Sequence, residues 1–204
     1  MPSAEFFTEQ GLFVVRDFLD TKLCAEICDE INKAVQLQTP LSDVANRVGA
    51  LKAYPGRPKA AMDIGGDYQK YLKNKLSDLM PKLSEHFRVE LKTLYDPYFA
   101  IYNKGDSLIP HVDSTGRAKQ AGLPKERKLS VVIFLNEESP IKKKGAYSGG
   151  NLIFHGLLKD EKFGRFGIPL NSEAGMLIAF PSTILHEVSQ ITAGTRFVVN
   201  SGYY

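Results

Sequence analysis

Two histidines, one aspartate and one arginine in this chain of 204 residues occur at spacings that could do chemistry. His111 and Asp113 lie two apart in Ile109-Pro110-His111-Val112-Asp113. Side chains alternate faces along a strand, so the pair points to one side, about 7 Å apart at the backbone. One further ligand would complete a metal face. His186, in Leu185-His186-Glu187-Val188, supplies it if a later strand pairs nearby. Two histidines and a carboxylate on one face of an octahedral ion leave three positions open, the arrangement of non-heme iron(II) sites. A His-x-Asp pair alone is a weak signal, because such pairs also serve as surface hydrogen-bonding residues.

Arg196 stands ten residues after His186, inside Gly194-Thr195-Arg196-Phe197-Val198-Val199-Asn200, which reads as a strand. An arginine among Phe197, Val198 and Val199 is expensive to bury without an anion. A guanidinium grips a carboxylate through two parallel hydrogen bonds. A dicarboxylic ligand that chelates the metal at one end would therefore place its far carboxylate at Arg196. A structural salt bridge to Asp or Glu is the reading that holds if the His-x-Asp pair carries no metal. Asn200 shares a face with Arg196 and is read equally as a contact to water or ligand and as a satisfied core amide.

The elements that must position these residues fall into two textures. Gly11 to Leu19 reads as a strand, and Asp20 as the N-cap of an amphipathic helix through about Val35. A second core helix is predicted from Asp67 to about Phe87, where Tyr68, Tyr71, Leu72, Leu76, Leu79, Met80 and Leu83 recur at helical spacing. Between them, Thr39 to Gly66 is rich in glycine and proline and reads as an irregular segment with one helical turn, of the kind used for lids and binding loops. After Glu90 short β-type runs take over: 91–95, 98–103, 107–112, 129–135, 152–154, 176–180 and 197–200. Many short strands at even spacing indicate a sandwich or barrel, with the two helices along one side.

Composition sets bounds on function. With 43% hydrophobic and 24% charged residues the chain has the balance of a globular protein, long enough for one domain spanning 1–204. A net charge of +3 from 26 basic and 23 acidic residues is too mild to point to nucleic acid. Lys142, Lys143 and Lys144, followed by Gly145, read as a solvated loop tip. Cys24 and Cys28, on one helical stripe with Ile27 and Ile31, read as reduced core thiols. The first residues lack a secretory pattern and no apolar stretch is long enough to span a bilayer, so the expected location is cytoplasmic. His86 is expected to be exposed or capping. His155 is weighed as a fourth ligand or substrate contact and set aside.

From Tyr98 to Tyr203 the chain resembles the iron(II) and 2-oxoglutarate dependent dioxygenases, prolyl-hydroxylase-like branch. The resemblance rests on Ala100-Ile101-Tyr102 before a glycine turn, Pro110-His111-Val112-Asp113, Phe134-Leu135-Asn136, Gly149-Gly150-Asn151, Gly175 to Pro181, and His186-Glu187-Val188 followed by Arg196. It implies an α+β, mainly β fold: a double-stranded β-helix (jelly-roll) core at 91–204, with 1–90 as helical support and lid. It also implies Fe(II) held by His111, Asp113 and His186, and 2-oxoglutarate held by Arg196, Tyr102, Ser130 and Asn200. O2 is the co-oxidant and ascorbate supportive. Some relatives carry a tyrosine where Phe134 stands, so the 2-oxoglutarate tail relies on Arg196 with help from Tyr102 or Ser130. Halogenating relatives have a small residue at the position of Asp113, so hydroxylation is expected.

The implied activity couples decarboxylation of 2-oxoglutarate to succinate with hydroxylation of an unactivated C–H bond. A small molecule, such as an amino acid or natural-product intermediate, is the expected substrate, because no substrate-recruiting domain is recognisable. A prolyl residue of a protein is the alternative, with 39–66 and 114–128, including Arg117, Lys119, Lys125 and Arg127, forming a peptide groove. A non-catalytic metal-binding barrel is the third reading. The sequence does not indicate an oligomeric state.

Overall fold

In the computed structural model, residues 2–36, 42–43, 58–61, 64, 66–114, 126–141, 143–158 and 166–204 are described. A six-residue helix α1 (Ala4–Glu9), too short to show a period in sequence, precedes strand β1 (Phe13–Val15). The predicted strand over 11–19 shrinks to these three residues. Helix α2 (Thr21–Gln36) starts where expected: Asp20 Oδ1 accepts the Leu23 N–H at 2.8 Å. Its stripe of Cys24, Ile27, Ile31 and Ala34 is buried. Within the segment read as irregular, β2 (Ser42–Asp43) and β3 (Lys59–Ala61) pair as short strands, which corrects that reading; residues 44–57 lie outside the described residues. Helix α3 (Tyr68–Phe87) buries Leu72, Leu76 and Leu83.

The strands that follow are β4 (Leu94–Tyr102), β5 (Leu108–His111), β6 (Leu129–Phe134), β7 (Ser148–Gly149), β8 (Leu152–His155), β9 (Gly167–Pro169), β10 (Leu177–Pro181), β11 (His186–Val188), β12 (Ile191–Ala193) and β13 (Arg196–Tyr203). The runs at 91–95 and 98–103, predicted as two strands, form the single β4: Asp96 and Pro97 sit in its middle, where β13 shifts register between Asn200 and Gly202.

Seven strands make a large sheet in the order β1-β10-β6-β13-β4-β3-β2, and four make a smaller one in the order β5-β11-β8-β9. The pairing is antiparallel throughout both. Leu108, Leu152, Phe154 and Val188 of the small sheet share one apolar cluster with Ala100, Phe134, Ile178, Phe180 and Val198 of the large sheet. The opposite face of the large sheet, with Ile133, Leu177, Phe197 and Val199, clusters with Ile27, Ile31, Leu72, Leu76 and Leu83 of the helices. The architecture is the double-stranded β-helix with helices on one side that the resemblance implied. The Tyr203 hydroxyl donates to the Leu76 carbonyl at 2.7 Å, tying β13 to α3. Among the described residues no helix is long and apolar enough to cross a membrane.

Candidate active site

The interior between the two sheets gathers the residues singled out in sequence. His111 ends β5 and His186 begins β11, and the two are register partners across that strand pair, with ring centroids 4.3 Å apart. Asp113 follows β5, where its N–H donates to the Ser182 carbonyl at 2.9 Å. This brings the carboxylate to 3.5 Å from His111 Nε2 and 3.8 Å from His186 Nε2. One ligand atom from each of the three residues lies within 4.8 Å of the others, a span that one ion can bridge.

Each imidazole is held by its other nitrogen. His111 Nδ1 lies 2.8 Å from the Ile109 carbonyl and His186 Nδ1 lies 2.9 Å from the Ile184 carbonyl. A carbonyl only accepts, so each Nδ1 carries a proton, and each Nε2, once it has lost its own, turns a lone pair to the cluster, as metal-ligating histidines require. Burial alone would raise the Asp113 pKa, but the charges of His186 and Arg127 and the hydrogen bond to His111 hold it well below the usual carboxylate range. Burial pushes His186 down to about 4 against the pull of Asp113. For His111, burial acts downward and is outweighed by Asp113, which raises it. The donor set suits a borderline divalent ion such as iron(II).

Deeper in the same cavity, Arg196 begins β13 with a relative exposure of 1%, and its Nε and Nη1 are buried without a hydrogen-bond partner. Its guanidinium carbon sits 4.7 Å from the Tyr102 ring centroid and 5.2 Å from that of Phe134. Tyr102 is its cross-strand partner on β4. A buried cation with two free donors is a place for an anion, and a carboxylate matches its fork. Gly150 makes room for it. With φ at +64°, it sits where a Cβ would fall 2.1 Å from Ile191 Cδ1 and 3.3 Å from Arg196 Cδ. The Gly149-Gly150 step therefore belongs to the arginine's cavity as well as to the turn.

Three comparisons bear on this geometry. Residues 97–204, just over half the chain, match the 2OG-Fe(II) oxygenase superfamily. The chain belongs to that family. A PKHD-type hydroxylase of Prochlorococcus marinus is 36% identical over 112 residues, 53% of this chain and 41% of that protein. One of Shewanella oneidensis is 34% identical over 102 residues, 50% of this chain and 39% of that protein. The matched region thus spans well under half the length of these curated relatives. A prolyl-4-hydroxylase of Pseudomonas putida has the same fold, with a TM-score of 0.70 at 20% identity, covering 98% of this chain and 95% of that one. A prolyl hydroxylase of Trichoplax adhaerens, solved with a peptide fragment of hypoxia inducible factor, has a TM-score of 0.68 at 19% identity, covering 98% and 86%.

The remaining expected residues of this oxygenase-family site are placed as follows. Tyr102 and Asn200 line the cavity together with His111, Asp113, His186 and Arg196. Ser130 also lines it, but its hydroxyl donates to Asp113 Oδ2 at 2.5 Å, on the metal side. His155 lies outside the metal-capable group; it alternates outward on β8 and pairs with Glu187 at 3.1 Å. His86 packs edge-on between Phe13 and Phe87, at centroid distances of 5.2 and 4.7 Å. Cys24 and Cys28 are free thiols. Lys142 and residues 115–125, with Arg117, Lys119 and Lys125, lie outside the described residues. Lys143 pairs with Glu137.

Arg127, read in sequence as part of a peptide groove, lines the same cavity with its side chain 9% exposed, Nη1 3.5 Å from Asp113 Oδ2 and the guanidinium 5.4 Å from the Tyr95 ring centroid. Glu126 and Lys128 on either side give it the look of a charged loop, and no local pattern separates it from them.

Proposed function

We propose that the protein is an oxygenase that couples decarboxylation of 2-oxoglutarate to hydroxylation of a C–H bond, with His111, Asp113 and His186 holding Fe(II) and Arg196 holding the cosubstrate's far carboxylate. The observation that carries this reading is the pairing, in one cavity, of a two-histidine, one-carboxylate cluster with a buried arginine whose Nε and Nη1 have no partner. Neither feature accounts for the other: a metal site has no need of the arginine, and a structural arginine would be paired. Iron(II), 2-oxoglutarate and dioxygen supply the oxidising chemistry, releasing succinate and carbon dioxide. The chain's own residues orient and exclude. Backbone carbonyls aim the two Nε2 atoms, Tyr102 and Phe134 wall the arginine, and Leu108, Leu152, Phe180 and Val188 keep the cavity apolar around the reacting centre.

For the substrate we favour a prolyl residue in a peptide, on the names of the fold neighbours from Pseudomonas putida and Trichoplax adhaerens. The small-molecule substrate expected from the sequence is the second reading. It has one neighbour in its favour, an α-ketoglutarate dependent epimerase of nogalamycin biosynthesis, with a TM-score of 0.66 at 14% identity. Incubation with Fe(II), ascorbate and 2-oxoglutarate should release succinate, and His111→Ala should remove that release. A fully metallated protein that releases none across peptide and small-molecule panels would rule the activity out. Proline-containing peptides gaining 16 Da by mass spectrometry would select the prolyl reading; turnover confined to free amino acids or natural-product intermediates would select the other.

A further inference from the structure

Asp113 is held more firmly than a metal ligand needs to be, and both holds fall on the same oxygen. Ser130 Oγ donates to Oδ2 at 2.5 Å, and Arg127 Nη1 lies 3.5 Å from Oδ2; Oδ1 faces His111 Nε2 at 3.5 Å and Oδ2 faces His186 Nε2 at 3.8 Å, so both oxygens are within reach of an ion held there. Arg127 is itself fixed. Its guanidinium lies over Tyr95, its carbonyl accepts from the Ser182 hydroxyl, and Gly202 lies so close that a Cβ there would fall 2.9 Å from Arg127 Cδ and Nε. Ser182 closes the frame, since its own carbonyl accepts the N–H groups of Asp113 and Ser114 at 2.9 and 3.0 Å.

A cation beside a metal-binding carboxylate weakens its hold on a divalent ion by simple repulsion, so Arg127 is poorly explained as an aid to affinity. It is well explained by coordination number. Carboxylates bind metals through one oxygen or both. With two histidines on a six-coordinate ion, a carboxylate bound through one oxygen leaves three positions free; bound through both it leaves two. A chelating keto acid takes two positions and dioxygen a third.

We propose that Ser130 and Arg127 lock Oδ2 of Asp113 and reserve Oδ1 for the metal, keeping open the position that a chelating cosubstrate would otherwise lose. Ser130 thus moves from the cosubstrate contact expected in sequence to a positioning residue, and Arg127 joins it. The inference rests on the iron-site reading above and adds the denticity of one ligand to it.

Anaerobic titration of the full chain with Co(II), followed by 2-oxoglutarate, tests the lock without turnover, because the visible spectrum of Co(II) reports its coordination. Ser130→Ala, Arg127→Gln and the double variant should bind Co(II) as tightly as the unaltered protein or more so. Their Co(II)-loaded forms should bind 2-oxoglutarate about 10-fold more weakly, the double variant most of all, with an altered Co(II) spectrum before the keto acid is added. Unchanged 2-oxoglutarate affinity and spectrum in all three would overturn the lock while leaving the metal site standing. Equal losses of Co(II) and 2-oxoglutarate affinity would also overturn it, showing a merely structural role. An unaltered protein that binds no Co(II) would instead overturn the iron-site reading, and the lock with it. Ser130→Ala removes a single hydroxyl and keeps the test available if Arg127→Gln fails to fold.

Discussion

The two faces of the large sheet are built from alternate residues of the same strands, and they differ in kind. On β6, Leu129, Val131 and Ile133 face the helices, while Ser130, Val132 and Phe134 face the small sheet. On β13, Phe197, Val199 and Tyr203 go to the helix side, while Arg196, Val198 and Asn200 go to the cavity side. The helix side is apolar, and the Tyr203 hydroxyl there is satisfied by the Leu76 carbonyl. On the cavity side sit an arginine with two unpartnered nitrogens and a carboxylate among two imidazoles. One side stores stability in packing; the other keeps polar groups ready for something to be bound. A shift of register by one residue would exchange the two faces.

That division is open to attack from either side. The largest effect is expected from Arg196→Met, which should weaken 2-oxoglutarate binding by about 2–5 kcal/mol in calorimetry. The melting temperature should hold or rise, since a buried charge without a partner has been replaced by an apolar chain. A fall in stability as large as the fall in affinity would break the division. Ile133→Ala, on the opposite face of the same sheet, should do the reverse. It should cost about 2–5 kcal/mol of unfolding free energy by denaturant titration, with 2-oxoglutarate affinity unchanged below the transition. The smallest effect concerns α2. Burial is the main cause pushing Cys24 up to about 11 and Cys28 up to about 12, so both stay protonated thiols at pH 8. Iodoacetamide should then label the native protein slowly and the urea-unfolded protein fully, as read by intact mass.

The site was legible in sequence to the extent that its chemistry has a local signature. His111 and Asp113 announced themselves by strand alternation, and Arg196 by being a cation inside an apolar strand. Helices α2 and α3 were legible because 16 and 20 residues are enough for a helical period to repeat. Strands β7, β9, β11 and β12, at two or three residues each, are too short for a period of two to appear. Arg127 was named for a groove, but its contact with Asp113 was not legible, because it is held over Tyr95, 32 positions away along the chain, which meets it only through the fold. Ser130 was placed in the right cavity, but which of two acceptors its hydroxyl would choose is a matter of ångströms.

The register pairing of His111 with His186 has a mechanical side. Among the described residues β5 is the outermost strand of the small sheet and pairs only with β11. An ion gripped by both residues would act as a rivet through that rim, so loading the protein should damp the fraying of one strand rather than stiffen the whole molecule. Amide exchange along 108–111 should slow on adding Mn(II), while the amides of α3 keep their rates. The rim would then open when the ion leaves.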